Sequence, residues 1–278
     1  MNNGINISLL LPTRGRPALL QRLFNSVVDT TANIRELELV LYIDEDDLPT
    51  REVSHPFLQL KKLIKPPGQR MGSMNQFCYE ESRGRYVLLM NDDVVFRTKA
   101  WDARVSETFA QFVDDIALVY GNDLYQREAL PTIPVLSRRV CEIIGGVCPR
   151  DYFNTYIDLH LFDVFKKLAK LGYPRIVYLE DVIFEHMHHE ANKGVMDATY
   201  VKKNERADDL LFITLEDERW NQAKMLRRYI EEKHVGTQDG GTLAQGSKQI
   251  SSKSRFRPKL LLKRLLGSLL SRTRELDS

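Results

Sequence analysis

The chain predicts an α/β fold built on a mostly parallel sheet flanked by helices, with a helical extension at its C-terminal end. Three observations carry this. Short apolar runs rich in β-branched residues alternate with segments of helical periodicity. The first two runs are joined by one such helix, which makes a βαβ unit. Two runs, ending at Ile43 and Met90, stop in acidic clusters. Ligands of open α/β sheets bind outside the carboxyl ends of the strands.

Taken in order, Ile5 to Leu11 is a continuous apolar run bounded by Pro12, as a buried parallel strand would be. Thr13 to Pro17 is a loop, and Pro17 suits the first turn of a helix. Leu19, Leu20, Leu23, Val27 and Val28 give that helix an apolar stripe. Leu37 to Ile43 is the second strand and runs into Asp44-Glu45-Asp46-Asp47. A third strand is expected near Lys62 to Ile64, then a helix over Ser73 to Ser82 ended by Arg83-Gly84. Tyr86 to Met90 is a strand that ends in Asn91-Asp92-Asp93.

Beyond Trp101 the spacing predicts a helix over Val105 to Val113 and a strand over Ile116 to Tyr120. Asn122 to Val147 reads as irregular. A helix follows over Tyr156 to Leu171, closed by Gly172, and a short strand over Arg175 to Leu179. Glu180-Asp181 and the cluster His186, His188, His189 come next. Asp209 to Lys233 contains a long helix. Residues 236–256 are rich in Gly, Ser, Thr and Gln and read as a flexible linker.

Composition narrows the function. The chain has 278 residues, 43% hydrophobic and 28% charged, enough to bury a sizeable core. A net charge of +2 gives no overall footprint for nucleic acid. The three cysteines have neither zinc nor redox spacing and read as reduced thiols. No His-Glu-x-x-His supports a hydrolytic zinc site, and no Gly-x-Gly-x-x-Gly supports a nicotinamide enzyme. The N-terminus has no basic region or apolar signal core, and no stretch is apolar enough to span a bilayer. The expected location is the cytoplasm, with peripheral attachment at the inner face of the membrane.

The acidic pair Asp92-Asp93 is the most telling feature. Hard divalent cations take oxygen ligands, and Mg²⁺ usually combines one or two carboxylates with substrate phosphates. The plain alternative is a turn, which Asn and Asp favour. His186 and His188 would share one face of a strand.

These pieces, in this order, resemble family 2 glycosyltransferases of the GT-A fold, the Rossmann-like fold of nucleotide-diphospho-sugar transferases. The matching stretches are Leu9 to Arg14, Tyr42 to Asp47, Gly72 to Asn75 and Gly84 to Asp93, and the resemblance covers roughly residues 5–190. It implies a nucleotide-sugar-binding half over 1–100 and an acceptor-binding half over 101–200. A helical extension (201–235), the linker (236–256) and a basic amphipathic helix (257–278) follow.

The resemblance also implies roles. Pro12, Thr13 and Arg14 would contact the nucleotide, and Asp44, Asp46 or Asp47 its base or ribose. Arg70 and Asn75 lie where the family approaches the diphosphate. Asn91, Asp92 and Asp93 match the Asp-X-Asp motif, with Asp93 as direct ligand of Mn²⁺ or Mg²⁺ and His186 or His188 as a further ligand. Asn91 departs from the motif and removes one negative charge. The acids after the second strand lack the family's Gly-Ser. Asp158 best matches the general base that inverting transfer to a hydroxyl needs, and Asp181 is the second choice.

The expected function is therefore metal-dependent, inverting transfer of a sugar from a nucleotide-diphosphate donor to a glycan or lipid-linked acceptor. The pathway would be cell-surface polysaccharide or glycolipid synthesis. A non-catalytic nucleotide-sugar-binding module is the alternative, favoured by Asn91. A nucleotidylyltransferase is disfavoured, because Pro12 to Pro17 holds one glycine only. Eight Lys/Arg and no acid lie between Lys253 and Arg274, around a leucine stripe from Leu261 to Leu270. That composition suits an anionic membrane surface, or else a partner helix.

Overall fold

A computed structural model describes residues 4–187 and 205–235. All belong to one compact unit, Met1–Thr242. The linker over 236–256, the basic segment over 257–278 and His188 lie outside the described residues.

The expected βαβ opening is present. Strands β1 (Ile7–Thr13) and β2 (Leu37–Asp44) are buried along their whole length, as strands covered on both faces must be. Helix α1 (Pro17–Thr30) joins them and starts on Pro17. It buries Leu20, Leu23, Phe24 and Val27, so Phe24 belongs to the inner stripe and Leu19 and Val28 flank it. The short helix α2 (Leu48–Arg51) precedes the edge strand β3 (Gln59–Lys65). Helix α3 (Met71–Glu81) leads to β4 (Tyr86–Leu89), and β5 (Val94–Phe96) follows the acidic pair.

Helix α4 (Trp101–Phe109) begins and ends four residues before the predicted span. Val113 falls in the turn beyond it, 91% exposed. Strand β6 (Leu118–Asn122) is followed by two elements that the sequence reading treated as irregular, β7 (Pro134–Ser137) and α5 (Arg138–Ile144). Helix α6 (Ile157–Lys170) and strand β8 (Ile176–His186) come next. The strand predicted to stop at Leu179 thus continues to His186. Its register against β6 shifts at Gly121/Asn122, and this irregularity turns Glu180 and Asp181 outward without ending the strand. The long helix expected within Asp209 to Lys233 is α8 (Glu216–Val235), preceded by a separate helix α7 (Glu205–Thr214).

The eight strands form one sheet in the order β3-β2-β1-β4-β7-β6-β8-β5. The first four are mutually parallel, with β6 and β8 also parallel. Pairs β4–β7, β6–β7 and β5–β8 are antiparallel. The mostly parallel expectation therefore holds for the first half, and the second half is mixed. Alternation along β1 sends Leu9 and Leu11 to one face and Leu10 to the other. The first face packs on Phe24 and Val27 of α1 and Trp101 and Phe109 of α4. The second packs on Cys78 of α3, Phe165 of α6 and Leu226 of α8. Among the described residues no helix is long and apolar enough to cross a membrane.

Candidate active site

Strands β1, β2 and β4 end side by side because β1 pairs in parallel with both neighbours. Their terminal loops therefore share one edge of the sheet. The loop after β1 is tied to the acids of the other two. Thr13 Oγ1 donates to Asp92 Oδ2 at 2.8 Å, and Arg16 Nη1 to Asp92 Oδ1 at 2.7 Å. Both oxygens of Asp92 are thus engaged in holding that loop. Burial pushes the Asp92 carboxyl above its usual range, against the opposing pull of Arg16 and Thr13.

Arg14 reaches across to β2. It donates to Asp44 and, through two nitrogens, to Asp46, and these bonds raise its already high pKa. Asp44 is buried, and its Oδ1 has no hydrogen-bond partner among the described residues. Asp46 is half exposed. Asp47 accepts from Gly15 N at 2.6 Å and caps α2 at Thr50 N. The acids after β2 therefore divide their work: Asp47 shapes the loop, Asp46 holds Arg14, and Asp44 keeps a buried acceptor oxygen.

Asp93 points the other way, toward β8. Because β5 and β8 are antiparallel with Val94 opposite His186, the residue before Val94 lies beside the end of β8. His186 Nε2 stands 3.2 Å from Asp93 Oδ1, and both side chains are buried. Met187 N donates to the Asp93 carbonyl at 2.9 Å and His186 N to the Asp123 carbonyl at 3.0 Å. Burial lowers the His186 pKa, but its bond to Asp93 and the charges of Asp93, Asp123 and Asp158 raise it overall.

Asp158 sits in the first turn of α6, half-buried, with Oδ1 accepting from Leu159 N at 2.8 Å. Burial raises its pKa, opposed by backbone bonds and by His186. His186 thus pairs with Asp93, and its charge also acts on Asp158 from another part of the chain. Asp181, the second choice for the base, is exposed and ion-paired to Arg104 at 2.8 Å. Arg70 precedes α3 and binds Asp151 at 2.6 Å, with its guanidinium 4.4 Å from the centre of the Phe153 ring. Asn75 is buried inside α3 and donates to Met71 O, while Asn91 is exposed. Pro12 is buried in β1 opposite Tyr42.

Sequence reasoning missed Asp123. Its Oδ1 accepts from three successive amides, Tyr125, Gln126 and Arg127, and Oδ2 from Thr132 Oγ1. The signal was present as a third acid at the end of a strand, β6, inside a stretch whose Pro content read as irregular.

Asp93 and His186 offer one carboxylate and one imidazole converging on one point. That set fits a divalent cation that completes its shell with phosphate oxygens. Among the described residues no group of three or more His, Cys, Asp or Glu is gathered as a complete metal cage.

Solved structures share this architecture. A mannosyltransferase from Pyrobaculum calidifontis, in complex with GDP-Man and Mn²⁺, aligns with a TM-score of 0.52 at 14% identity, covering 95% of this chain and 80% of its own. The chain has the GT-A fold. Glucosyl-3-phosphoglycerate synthase from Mycobacterium tuberculosis, with Mg²⁺ and UDP, aligns at 0.52 and 11% identity over 75% and 78% of the two chains. The chain spans 36% of the S. aureus TarS chain, at a TM-score of 0.49 and 16% identity. No protein-family model matches, and no curated protein is similar in sequence.

Proposed function

We propose that the protein is an inverting glycosyltransferase that moves a sugar from a nucleotide-diphosphate donor to a hydroxyl acceptor. The observation that carries this is the buried Asp93–His186 pair at the strand ends of a GT-A fold, with Asp158 on the first turn of α6 feeling the charge of His186. The two solved relatives above were captured with GDP-Man and Mn²⁺ or with UDP and Mg²⁺, which supports the same ligand class here.

In this reading the donor lies across the ends of β1 and β2. The buried Asp44 Oδ1 accepts from the base or ribose, and Arg14, already held between Asp44 and Asp46, lines the same edge. Arg70 and the N-terminus of α3 face the diphosphate, and Asn91 offers a neutral carbonyl oxygen. Asp93 and His186 would hold Mn²⁺ or Mg²⁺, which neutralises charge on the departing diphosphate when bound. Asp92 shapes the cleft by fixing the loop after β1. Asp158 takes the proton from the acceptor hydroxyl as its oxygen attacks the anomeric carbon. The carbon–oxygen bond to the diphosphate breaks, and the configuration inverts.

The acceptor is read as a glycan or lipid-linked sugar. The basic, leucine-striped segment 257–278 would place the enzyme at the inner face of an anionic membrane. Asn91 supports a second reading, a nucleotide-sugar-binding module without turnover, since it removes a charge from the metal side. Release of UDP or GDP from UDP-glucose, UDP-GlcNAc or GDP-mannose, dependent on Mn²⁺ and lost in Asp158→Asn, is expected of the enzyme. Binding of the same donors with no release would leave the module reading.

A further inference from the structure

Asp208 of α7 is the most heavily engaged buried carboxylate outside the strand-end cluster. It is fully buried. Oδ1 accepts from Phe153 N at 2.7 Å, and Oδ2 from Asn154 N, Thr155 N and Thr155 Oγ1 at 3.0, 2.9 and 2.9 Å. The adjacent Asp209 accepts from the Tyr156 hydroxyl, and the Phe212 ring lies 5.1 Å from the Tyr156 ring. One face of α7 therefore grips four successive residues, 153–156.

Those residues lead directly into α6. Tyr156 is its N-cap residue, at φ 70°, and its carbonyl accepts from His160 N at 2.7 Å. A tyrosine in the left-handed region stays there only when its surroundings fix it. Asp158 is two residues further on. The opposite side of the same loop is bonded to α3: Met71 N donates to Phe153 O and Gly72 N to Tyr152 O, both at 2.9 Å. A Cβ on Gly72 would overlap the Pro149 and Arg150 carbonyls, so the backbones touch. Loop 151–156 thus spans the diphosphate side and the base side of the cleft.

We propose that Asp208 is a positioning residue for Asp158, acting through loop 151–156. The inference rests on the transferase reading above, in which Asp158 is the base. Four donors converge on two oxygens, which only a carboxylate can satisfy. An asparagine would keep at best the three bonds at Oδ2 and turn its NH₂ toward the Phe153 N–H, loosening the loop. The φ of Tyr156 and the first turn of α6 would then relax, and Asp158 would lose its aim. A displacement of about 1 Å at a reacting group can cost roughly a hundredfold in rate.

The test uses the full chain with Mn²⁺, water as acceptor, and UDP-glucose, UDP-GlcNAc and GDP-mannose as donors. Asp208→Asn is expected to lower kcat for UDP or GDP release by about ten- to a hundredfold. Its affinity for UDP or GDP by calorimetry should fall much less than kcat, since Asp44, Asp93 and His186 are left in place. A lowered Tm with unchanged kcat would make Asp208 merely structural and overturn the inference. Thr155→Val removes one of the four bonds to Asp208 and leaves the carboxylate in place, so it answers the question if Asp208→Asn does not fold; unchanged kcat there also overturns it. Asp158→Asn, run alongside, separates the two levels. Full turnover in Asp158→Asn sinks the base assignment and this inference with it, whereas full turnover in Asp208→Asn alone sinks only the latter.

Discussion

Asp158 and His160 are neighbours on the first turns of α6, and burial acts on them in opposite senses. At Asp158 burial raises the carboxyl, opposed by two backbone bonds and His186. A base must be ionised to accept a proton, so the rate should fall as pH drops through that raised pKa and level off above it. The kcat–pH profile measures this, and its acid limb should lie above the usual carboxylate range. Asp158→Asn should cost about 10²- to 10⁴-fold in kcat. His160 is 1% exposed, between the Tyr152 hydroxyl and Gln222 Oε1, both 3.0 Å away. Burial lowers its pKa from 6.5 to about 4. Between those values the unfolded chain holds a proton that the folded chain does not. Stability is therefore full above 6.5 and is lost as pH falls toward 4, by at most about 3 kcal/mol. Urea unfolding from pH 7 to pH 4 should show that slope, and His160→Gln should flatten it.

At the scale of elements, the strand ends were readable and the second half less so. Continuous runs such as Leu37 to Ile43 admit little besides a buried strand, and Pro17 marks the start of α1. The acids Asp44, Asp92 and Asp93 were placed correctly at strand ends, because polar residues directly after an apolar run have few other places to go. Strand β7 and helix α5 were not seen: each is short, and Pro131 and Pro134 read as breakers. Yet Pro134 begins the strand, where a missing N–H is tolerated. Helix α5 shows its start in retrospect, since Ser137 accepts from Val140 N at 3.1 Å. Ser137→Ala should cost about 1 kcal/mol in denaturant unfolding, the usual worth of such a cap, and more if the lost bond to Asp115 O strands that carbonyl. The partner of Asp93 was legible only in part. His186 was named from a histidine cluster, but its meeting with Asp93 depends on β8 running past Asp181 and pairing with β5. No local pattern encodes that register.

Across the whole molecule, the site is made from residues far apart in sequence, as Asp93 and His186 are. Asp93 meets His186 through the pairing of β5 with β8, the Asp123 carbonyl joins them through His186 N, and Asp158 comes from the first turn of α6. Asp123 escaped notice because it lies just past β6, at the start of the stretch from Asn122 to Val147 that read as irregular. The segment 257–278 is a separate matter of composition: it holds six of the eight cations between Lys253 and Arg274, with no acid before Glu275, which suits an anionic surface. Removing 257–278 should abolish sedimentation with phosphatidylserine-containing vesicles while leaving nucleotide binding unchanged. Retained sedimentation would remove the membrane role from that segment.

The pairing of Asp93 with His186 is what a metal-assisted donor site needs most. Thermal unfolding of the full chain should be followed with UDP, GDP, CDP and dTDP, each with and without Mn²⁺, in the parent and in Asp93→Ala. Ligands that bind only the native state raise its apparent stability. One nucleotide should raise Tm in the parent only when Mn²⁺ is present, and the rise should vanish in Asp93→Ala. A nucleotide shift that needs no metal, or that survives intact in Asp93→Ala, would contradict the account.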